Sequence, residues 1–283
     1  MTRLDDLLRR GARGAVVTGG AGGLGRVVGA ALADLGLVVR LADLDAAAAT
    51  EVAPAGGRGV RLDVTDRAAC DALAREVDAE DGLAVWVNNA GVLHTRPSWQ
   101  HPDAEVQRML GVNVLGTMHG TWAALAPMRA RGAGHVVNVV SLAGLAAPPG
   151  ETVYAATKHA ALAFSTGTLQ DLRAAGERGI DVSAVCPDGI WTPMLHDKVH
   201  DPQAAPSWSG VLLRPEQVAA VVADVVRRPR PVTSVPGWRG GMSRAYSAAP
   251  RAALALRPAL LAVARRKQRA FARDLERGRV PGA

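Results

Sequence analysis

Cysteine, lysine and tyrosine are scarce in this chain of 283 residues, and no uninterrupted apolar run has the roughly 18 residues of a membrane-spanning helix. The two cysteines, Cys70 and Cys186, show neither a disulfide framework nor a metal-ligand spacing, and we expect both to be small buried residues. The seven histidines show no metal-ligand pattern either, so the sequence predicts no metal site. The N-terminal residues lack the apolar stretch of a signal peptide. Together these absences favour a cytoplasmic, reducing location.

Basic residues are unevenly distributed along the chain, which has a net charge of +7. Residues 227–283 contain 14 Lys or Arg and only two acids, whereas residues 1–226 contain 19 basic and 24 acidic residues. The main part of the chain is therefore not basic, and we expect no nucleic-acid partner. The segment 258–279 begins apolar and continues as a basic, helix-like run. It could lie on an anionic membrane surface, dock on a neighbouring subunit or flank the substrate cleft; its short apolar face disfavours the membrane.

Short apolar runs alternate with helix-like stretches as far as residue 236. The predicted strands lie within residues 14–20, 37–43, 59–64, 83–91, 135–141, 180–187 and 230–236, and the predicted helices within 26–36, 67–80, 103–131, 152–175 and 215–227. Nearly continuous apolar strands separated by helices indicate a parallel sheet covered on both faces. We therefore predict an α/β fold with a doubly wound parallel (Rossmann) sheet in one domain, residues 1–236, followed by a basic helical extension over 237–283.

The run TGGAGGLG, residues 18–25, follows a predicted strand and opens a predicted helix. Glycines permit a tight turn and a close approach of the backbone to a diphosphate, and the helix N-terminus offers free N–H groups to it. The spacing satisfies both G-x-G-x-x-G and T-G-x-x-x-G-x-G. This context predicts a dinucleotide site, and the alternative is a glycine-rich turn without a ligand.

Asp43 ends the second predicted strand, 18 residues after Gly25. A carboxylate at that distance binds the adenosine ribose 2′-hydroxyl in dinucleotide folds and repels a 2′-phosphate. Neither Gly22 nor Leu44 supplies a cation that would accept such a phosphate. The sequence therefore favours NAD over NADP as the cofactor, unless Asp43 is only a solvated acid at the end of a strand.

Six short motifs occur in an order that resembles the short-chain dehydrogenase/reductase family, in its single-domain subgroup. They are TGGAGGLG (18–25), LDV (62–64), NNAG (88–91), Asn113, Ser141 and YAATK (154–158). The resemblance covers roughly residues 10–235 and includes the family's 13-residue spacing from serine to tyrosine. It implies a Rossmann fold, a nicotinamide cofactor, a small-molecule substrate and a homodimer or homotetramer packed through the helices near 103–131 and 152–175.

Tyr154 and Lys158 are four residues apart, so on a helix they share one face. Lowering a phenol pKa from near 10 to ~7 requires about 4 kcal/mol, which a cation ~4 Å away supplies at an effective dielectric near 20. We predict that Lys158 lowers the pKa of Tyr154, the general acid/base on the substrate oxygen during hydride transfer. The resemblance implies that Ser141 positions that oxygen, that Lys158 also holds the nicotinamide ribose and that Asn113 positions a water. The alternative is a packed tyrosine, a solvated lysine and a turn serine.

The resemblance also implies the set of cofactor contacts. They are Gly19, Gly23, Leu24, Gly25, Asp43, Leu44, Asp63, Val64, Asn89, Ala90, Gly91, Tyr154, Lys158, Ile190 and Thr192. One position departs from the family's pattern, because Asp188 follows Pro187 where the family usually has glycine. The contacts made by this loop are therefore the least secure of the set.

The predicted substrate contacts are Ser141, Leu142, Trp191 and Met194, in loops that are predominantly apolar. They favour a hydrophobic secondary alcohol or ketone, unless these residues only pack the fold. Two other functions stay open. One is epimerisation or dehydration on the same fold, for which the short C-terminal region leaves little room. The other is a non-catalytic dinucleotide-binding or membrane-associated protein, against which the complete Ser–Tyr–Lys set argues.

Overall fold

A seven-stranded parallel sheet forms the centre of the computed structural model, which describes residues 2–277. The strand order is β3-β2-β1-β4-β5-β6-β7, and all neighbouring strands are parallel. The strands are β1 Gly14–Thr18, β2 Val38–Asp43, β3 Arg58–Arg61, β4 Leu83–Asn88, β5 Gly134–Val139, β6 Ile180–Pro187 and β7 Val232–Val235. The order reverses direction between β1 and β4, so the predicted doubly wound α/β fold is confirmed.

Eleven α-helices lie within the described residues. They are α1 Arg3–Arg9, α2 Gly23–Ala33, α3 Ala46–Glu51, α4 Arg67–Asp81, α5 Asp103–Met109, α6 Gly116–Arg131, α7 Thr152–Ala174, α8 Pro193–His196, α9 Pro215–Arg227, α10 Gly237–Ala248 and α11 Pro250–Glu276. Short 3-10 helices occupy Ser98–Gln100, Leu142–Gly144 and Pro202–Trp208. Within residues 2–277, no helix is long and apolar enough to cross a bilayer.

The core lies on both faces of the sheet. On one face, buried side chains of α2 and α9, such as Leu32 and Val222, pack against the central strands. On the other face, α4 and α6 contribute Val77 and Met128, which pack with Trp86 of β4. β1, β4 and β6 are buried along their whole length, which is why β1 and β4 are nearly continuous apolar runs; β6 also buries Asp181 and Ser183.

Two details differ from the expectations. The predicted helix 103–131 is interrupted by a π-helical segment, Leu110–Leu115, between α5 and α6. Such segments are frequent at functional sites, and this one buries Asn113. The helix α1 has no predicted counterpart, although its N-cap Thr2 and Asp5 form a complete capping box. Cys70 and Cys186 are buried and free, as predicted.

Candidate active site

A cavity of about 880 Å³ opens at the carboxyl ends of the strands, where the loops after β1, β2, β4, β5 and β6 meet. Ligands of open parallel sheets bind at this edge, beside the reversal of strand order. All 15 predicted cofactor contacts line the cavity. It therefore brings together segments that are far apart in sequence.

The glycine turn forms one end of the cavity. Gly19 adopts a positive φ of 65°, and a Cβ there would lie 2.9 Å from the Cα of Ala90. A Cβ on Gly25 would overlap the carbonyl oxygen of Gly19, so both positions require glycine. Gly22 caps α2 without a side-chain hydrogen bond, which leaves the N–H groups of the first turn available to a phosphate.

Asp43 lies at the carboxyl end of β2, next to this turn. One carboxylate oxygen accepts a hydrogen bond from the amide of Ala21 at 3.0 Å, and the other accepts one from the amide of Asp45 at 3.3 Å. These bonds hold the carboxylate at the rim of the cavity, where Leu44 is 60% exposed. The residues present fit the adenosine end of a dinucleotide: a glycine cradle, a free helix N-terminus and a ribose-binding acid.

Thr18, at the end of β1, connects the glycine turn to the loop after β4. Its Oγ1 accepts hydrogen bonds from the amides of Asn89 and Ala90 at 3.0 and 3.1 Å. The Asn89 side-chain amide donates to the Thr18 carbonyl at 2.9 Å. Asn89 therefore supports the cavity wall through its side chain, and Thr18 is a supporting residue that the motif contains but that was not among the predicted contacts.

Ser141, Tyr154 and Lys158 meet at the other end of the cavity. Ser141 caps the short 3-10 helix after β5, and its Oγ accepts a hydrogen bond from the Ala143 amide at 3.0 Å. The Ser141 hydroxyl also lies close enough to the Tyr154 phenol to lower its pKa. The Lys158 ammonium lies 5.7 Å from the centroid of the Tyr154 ring, and it donates to the Val139 carbonyl at 3.1 Å. The helix α7 thus places both side chains on one face, as their spacing predicts.

Burial has opposite effects on the pKa values of these two groups. It raises the pKa of Tyr154, with a further rise from the neighbouring Glu151 carboxyl, whereas the hydrogen bond with Ser141 lowers this pKa. Burial lowers the pKa of Lys158 to about 8, so the ammonium is still charged at neutral pH. In the chain alone, the field of Lys158 does not offset the effect of burial on the tyrosine.

Asn113 lies behind the cavity wall, fully buried in the π-helical segment. Its side-chain oxygen accepts from the Val92 amide at 2.8 Å, and its side-chain nitrogen donates to the Val92 carbonyl at 2.9 Å and to Thr157 at 3.1 Å. Thr157 in turn donates to the carbonyl of Tyr154. The asparagine therefore fixes the loop after β4 relative to the helix that carries the tyrosine.

The remaining predicted substrate contacts separate into two groups. Leu142 and Met194 line the cavity together with Ser141. Trp191 is not among the lining residues, because its ring packs against His196 and Phe271, with centroids 3.6 and 4.6 Å apart. It supports the cavity wall from outside.

Glu151 is a cavity residue that the sequence does not single out. It is 4% exposed, it lies three residues before Tyr154, and its Oε1 accepts a hydrogen bond from the Ser207 hydroxyl at 2.5 Å. Burial raises the pKa of Glu151 to about 7, against the smaller lowering effect of the Ser207 hydrogen bond. The only sequence signal for Glu151 is its position three residues before Tyr154.

The C-terminal helices close the cavity over the substrate end. Met242 and Tyr246 of α10 and Leu260 and Leu261 of α11 line it. Arg239 of α10 donates from Nε to a carboxylate oxygen of Asp188 at 2.8 Å, and the same oxygen accepts from the Val211 amide at 3.2 Å. The unusual acid after β6 thus binds the C-terminal extension.

No group of three or more residues suited to a metal ion occurs among residues 2–277.

The chain belongs to the short-chain dehydrogenase family, whose model matches residues 13–203. The cyclopentanol dehydrogenase of Comamonas sp. (strain NCIMB 9872) is 34% identical over 226 residues, which cover 75% of this chain and 88% of that enzyme. The D-beta-hydroxybutyrate dehydrogenase of Cupriavidus necator is 31% identical over 194 residues, covering 65% and 73% respectively. The crystal structure of levodione reductase superposes with a TM-score of 0.70 at 28% identity, covering 83% of this chain and 98% of that one.

Proposed function

We propose that this protein is an NAD-dependent oxidoreductase that interconverts a hydrophobic secondary alcohol and its ketone. The observation that carries the proposal is the meeting of Ser141, Tyr154 and Lys158 in one cavity with the glycine turn and Asp43. The names of the similar proteins, cyclopentanol dehydrogenase and levodione reductase, support an alcohol or ketone as the substrate.

The cofactor would lie along the cavity from the glycine turn to Lys158. Gly19, Gly23 and the first turn of α2 would hold the diphosphate, and Asp43 would accept hydrogen bonds from the adenosine ribose. Within the described residues, the cations that line the cavity are Arg108, Lys158, Arg239 and Arg257, none of which is adjacent in sequence to Gly22 or Asp43. This distribution supports NAD rather than NADP.

The residues at the substrate end of the cavity would transfer the proton to or from the substrate oxygen. When bound, the nicotinamide would exchange a hydride with the substrate carbon and, when oxidised, add a positive charge to the site. Ser141 would form a hydrogen bond to the substrate oxygen, and Tyr154 would take or give the proton at its phenolic oxygen. Lys158, charged and held by the Val139 carbonyl, favours the phenolate form of Tyr154 and opposes the effect of burial.

The substrate end of the cavity is mainly apolar. Besides Leu142 and Met194, the C-terminal helices contribute Met242, Leu260 and Leu261 to its wall. Such a wall gains free energy by covering hydrocarbon, at about 25 cal/mol per Å² of buried surface. It supports a hydrophobic alcohol or ketone with a single oxygen near Tyr154.

We further propose that the chain forms a homodimer or homotetramer through α5, α6 and α7. Leu110, Leu115 and Trp122 are each 40% or more exposed along the α5–α6 segment. Large apolar side chains on one helical segment are typical of a subunit interface.

The proposed reaction is tested by replacing Tyr154 with phenylalanine. We expect Tyr154→Phe to lose at least about 10²-fold in kcat for oxidation of hydrophobic secondary alcohols, because the proton acceptor is gone. Binding of NADH, measured by fluorescence titration with NADPH in parallel, should be retained. The matched control is Tyr246→Phe, since Tyr246 is the other tyrosine and also lines the cavity. Near-normal turnover by Tyr154→Phe would contradict the assignment.

A further inference from the structure

Large apolar side chains are exposed along α10 and the first half of α11, within residues 2–277. We call this set the C-terminal apolar face: Trp238, Met242, Leu254, Leu256, Leu260 and Val263. Trp238, Leu254 and Leu256 are 58, 65 and 58% exposed. Every residue from Leu254 to Val263 except Leu261 is exposed, and eight of these ten are alanine, leucine or valine. Exposed apolar side chains at this density in one segment are typical of a binding surface.

The part of these helices before Asp274 carries an excess of positive charge. Nine Lys or Arg and no Asp or Glu occur between Gly237 and Arg273. The exposed cations include Arg244, Arg251, Arg265, Arg266 and Arg269, and none of these five forms an ion pair in the described part of the chain. An apolar surface flanked by unpaired arginines matches an anionic, lipid-covered surface in both hydrophobicity and charge.

A second copy of the same face fits less well. Two such faces packed together would bring cations close to cations, with no acid in the segment to separate them. The face also differs from the exposed α5–α6 segment assigned to the subunit interface, which lies elsewhere in the fold. The charge therefore favours an anionic bilayer as the occupant.

The second half of α11 fixes the face to the rest of the molecule. Lys267 donates to the carbonyls of Ser209 and Gly210 at 3.2 Å, and Gln268 donates to the carbonyl of Asp201 at 2.7 Å. Phe271 is buried in a cluster with Trp208. The apolar face is therefore held by a docked helix rather than by a loose tail.

The mouth of the active-site cavity opens through this face. Met242, Leu260 and Val263 line the cavity and are 46 to 51% exposed, so they lie at its mouth. Met194, 40% exposed, lines the cavity as well. A surface that covers the C-terminal apolar face would thus meet the entrance to the active site.

We propose that α10 and α11 dock on an anionic lipid bilayer through the C-terminal apolar face and its flanking arginines. The docked molecule lies on the bilayer and does not cross it. The cavity mouth then faces the acyl chains, so that an apolar alcohol or ketone can enter from the lipid; this last step alone depends on the proposed function.

The test is flotation of the full-length protein with vesicles of phosphatidylcholine, with and without phosphatidylglycerol. We expect binding to the anionic vesicles that weakens as salt is raised, and much weaker binding to the neutral ones. Arg251→Gln combined with Arg265→Gln should lower the anionic partition coefficient about thirty-fold. Leu254→Ser combined with Leu256→Ser should lower it at least about tenfold.

Matched controls come from residues outside α10 and α11. Arg75→Gln removes an exposed cation of α4, and Trp99→Ser removes an apolar side chain that is 82% exposed. Both should bind vesicles as the unmodified protein does. None of the substituted residues lines the cavity, so turnover of a water-soluble alcohol should stay unchanged in all four variants.

Three results would overturn the proposal: no vesicle binding, equal binding to neutral and anionic vesicles, or equal binding by the C-terminal and the control variants. Self-association that the Leu254/Leu256 variant abolishes, without any vesicle binding, would instead assign the face to a second copy. These readouts need no substrate, so they are independent of a failure of the proposed reaction.

Discussion

The buried carboxyl of Glu151 makes a quantitative prediction about stability and pH. Its pKa is about 7 in the folded chain, against an ordinary value of 4.5. Well below pH 4.5 the carboxyl is protonated in both the folded and the unfolded chain, so it imposes no penalty. Between pH 4.5 and 7 the unfolded chain ionises while the folded chain keeps the proton, and the folded state is therefore disfavoured as pH rises. Above about pH 7 the penalty levels off at about 3 kcal/mol.

Glu151→Gln should remove this pH dependence. Glutamine has nearly the same shape, and its side-chain oxygen can still accept the Ser207 hydroxyl, so the main change is the loss of the titratable charge. We expect the variant to be more stable than the unmodified protein by roughly 2–3 kcal/mol at pH 8, with a difference below about 1 kcal/mol at pH 5.

Urea unfolding at pH 5 and pH 8 measures the two free energies of unfolding for each variant. Other groups titrate over this range, but they are common to both proteins and cancel in the difference. Glu51→Gln serves as the control for the substitution itself, because Glu51 is exposed at the end of α3. If Glu151→Gln has the same stability difference from the unmodified protein at both pH values, the carboxyl does not titrate as its burial requires.

Two further substitutions test the supports of the site. Gly25→Ala should abolish NADH binding, because its Cβ would overlap the Gly19 carbonyl oxygen. The control is Gly167→Ala in α7, which should bind NADH normally because a Cβ there meets nothing within 4 Å. Fluorescence titration with NADH compares the two variants. Asp188→Asn should destabilise the protein by about 2 kcal/mol and speed amide exchange in α10, because it leaves the Arg239 guanidinium without its carboxylate. If amide exchange in α10 is the same in Asp188→Asn as in the unmodified protein, the Asp188–Arg239 ion pair does not hold this helix in place.

Much of the fold and the centre of the site follow from local rules. β1, β4 and β6 are buried on both sides, and strands in that position are nearly continuous apolar runs. The glycine turn is equally visible, since Gly19 and Gly25 have no room for a Cβ. Such constraints act on the backbone within a few residues, and they leave a pattern that sequence inspection can find.

Other parts of the site depend on contacts between distant segments. Glu151 interacts with Ser207, 56 residues away, and no spacing rule connects them. The π-helical interruption that buries Asn113 and the packing of Trp191 on Phe271 likewise arise from tertiary structure. The sequence predicts only a short apolar face for the C-terminal segment, because that prediction considers residues 258–279 alone. The C-terminal apolar face of the structure is larger, because it combines side chains of α10 and α11.

Asp188 and the C-terminal extension are one feature rather than two. A carboxylate after β6 would be costly if buried alone, and its side chain is only 7% exposed. Arg239 of the extension neutralises it, and Gly210 leaves room for it, since a Cβ there would overlap an Asp188 carboxylate oxygen. A family member with glycine after β6 has no carboxylate to hold such an arginine. The departure from the family's pattern therefore fixes α10 over the cavity, and with it the apolar face through which the cavity opens.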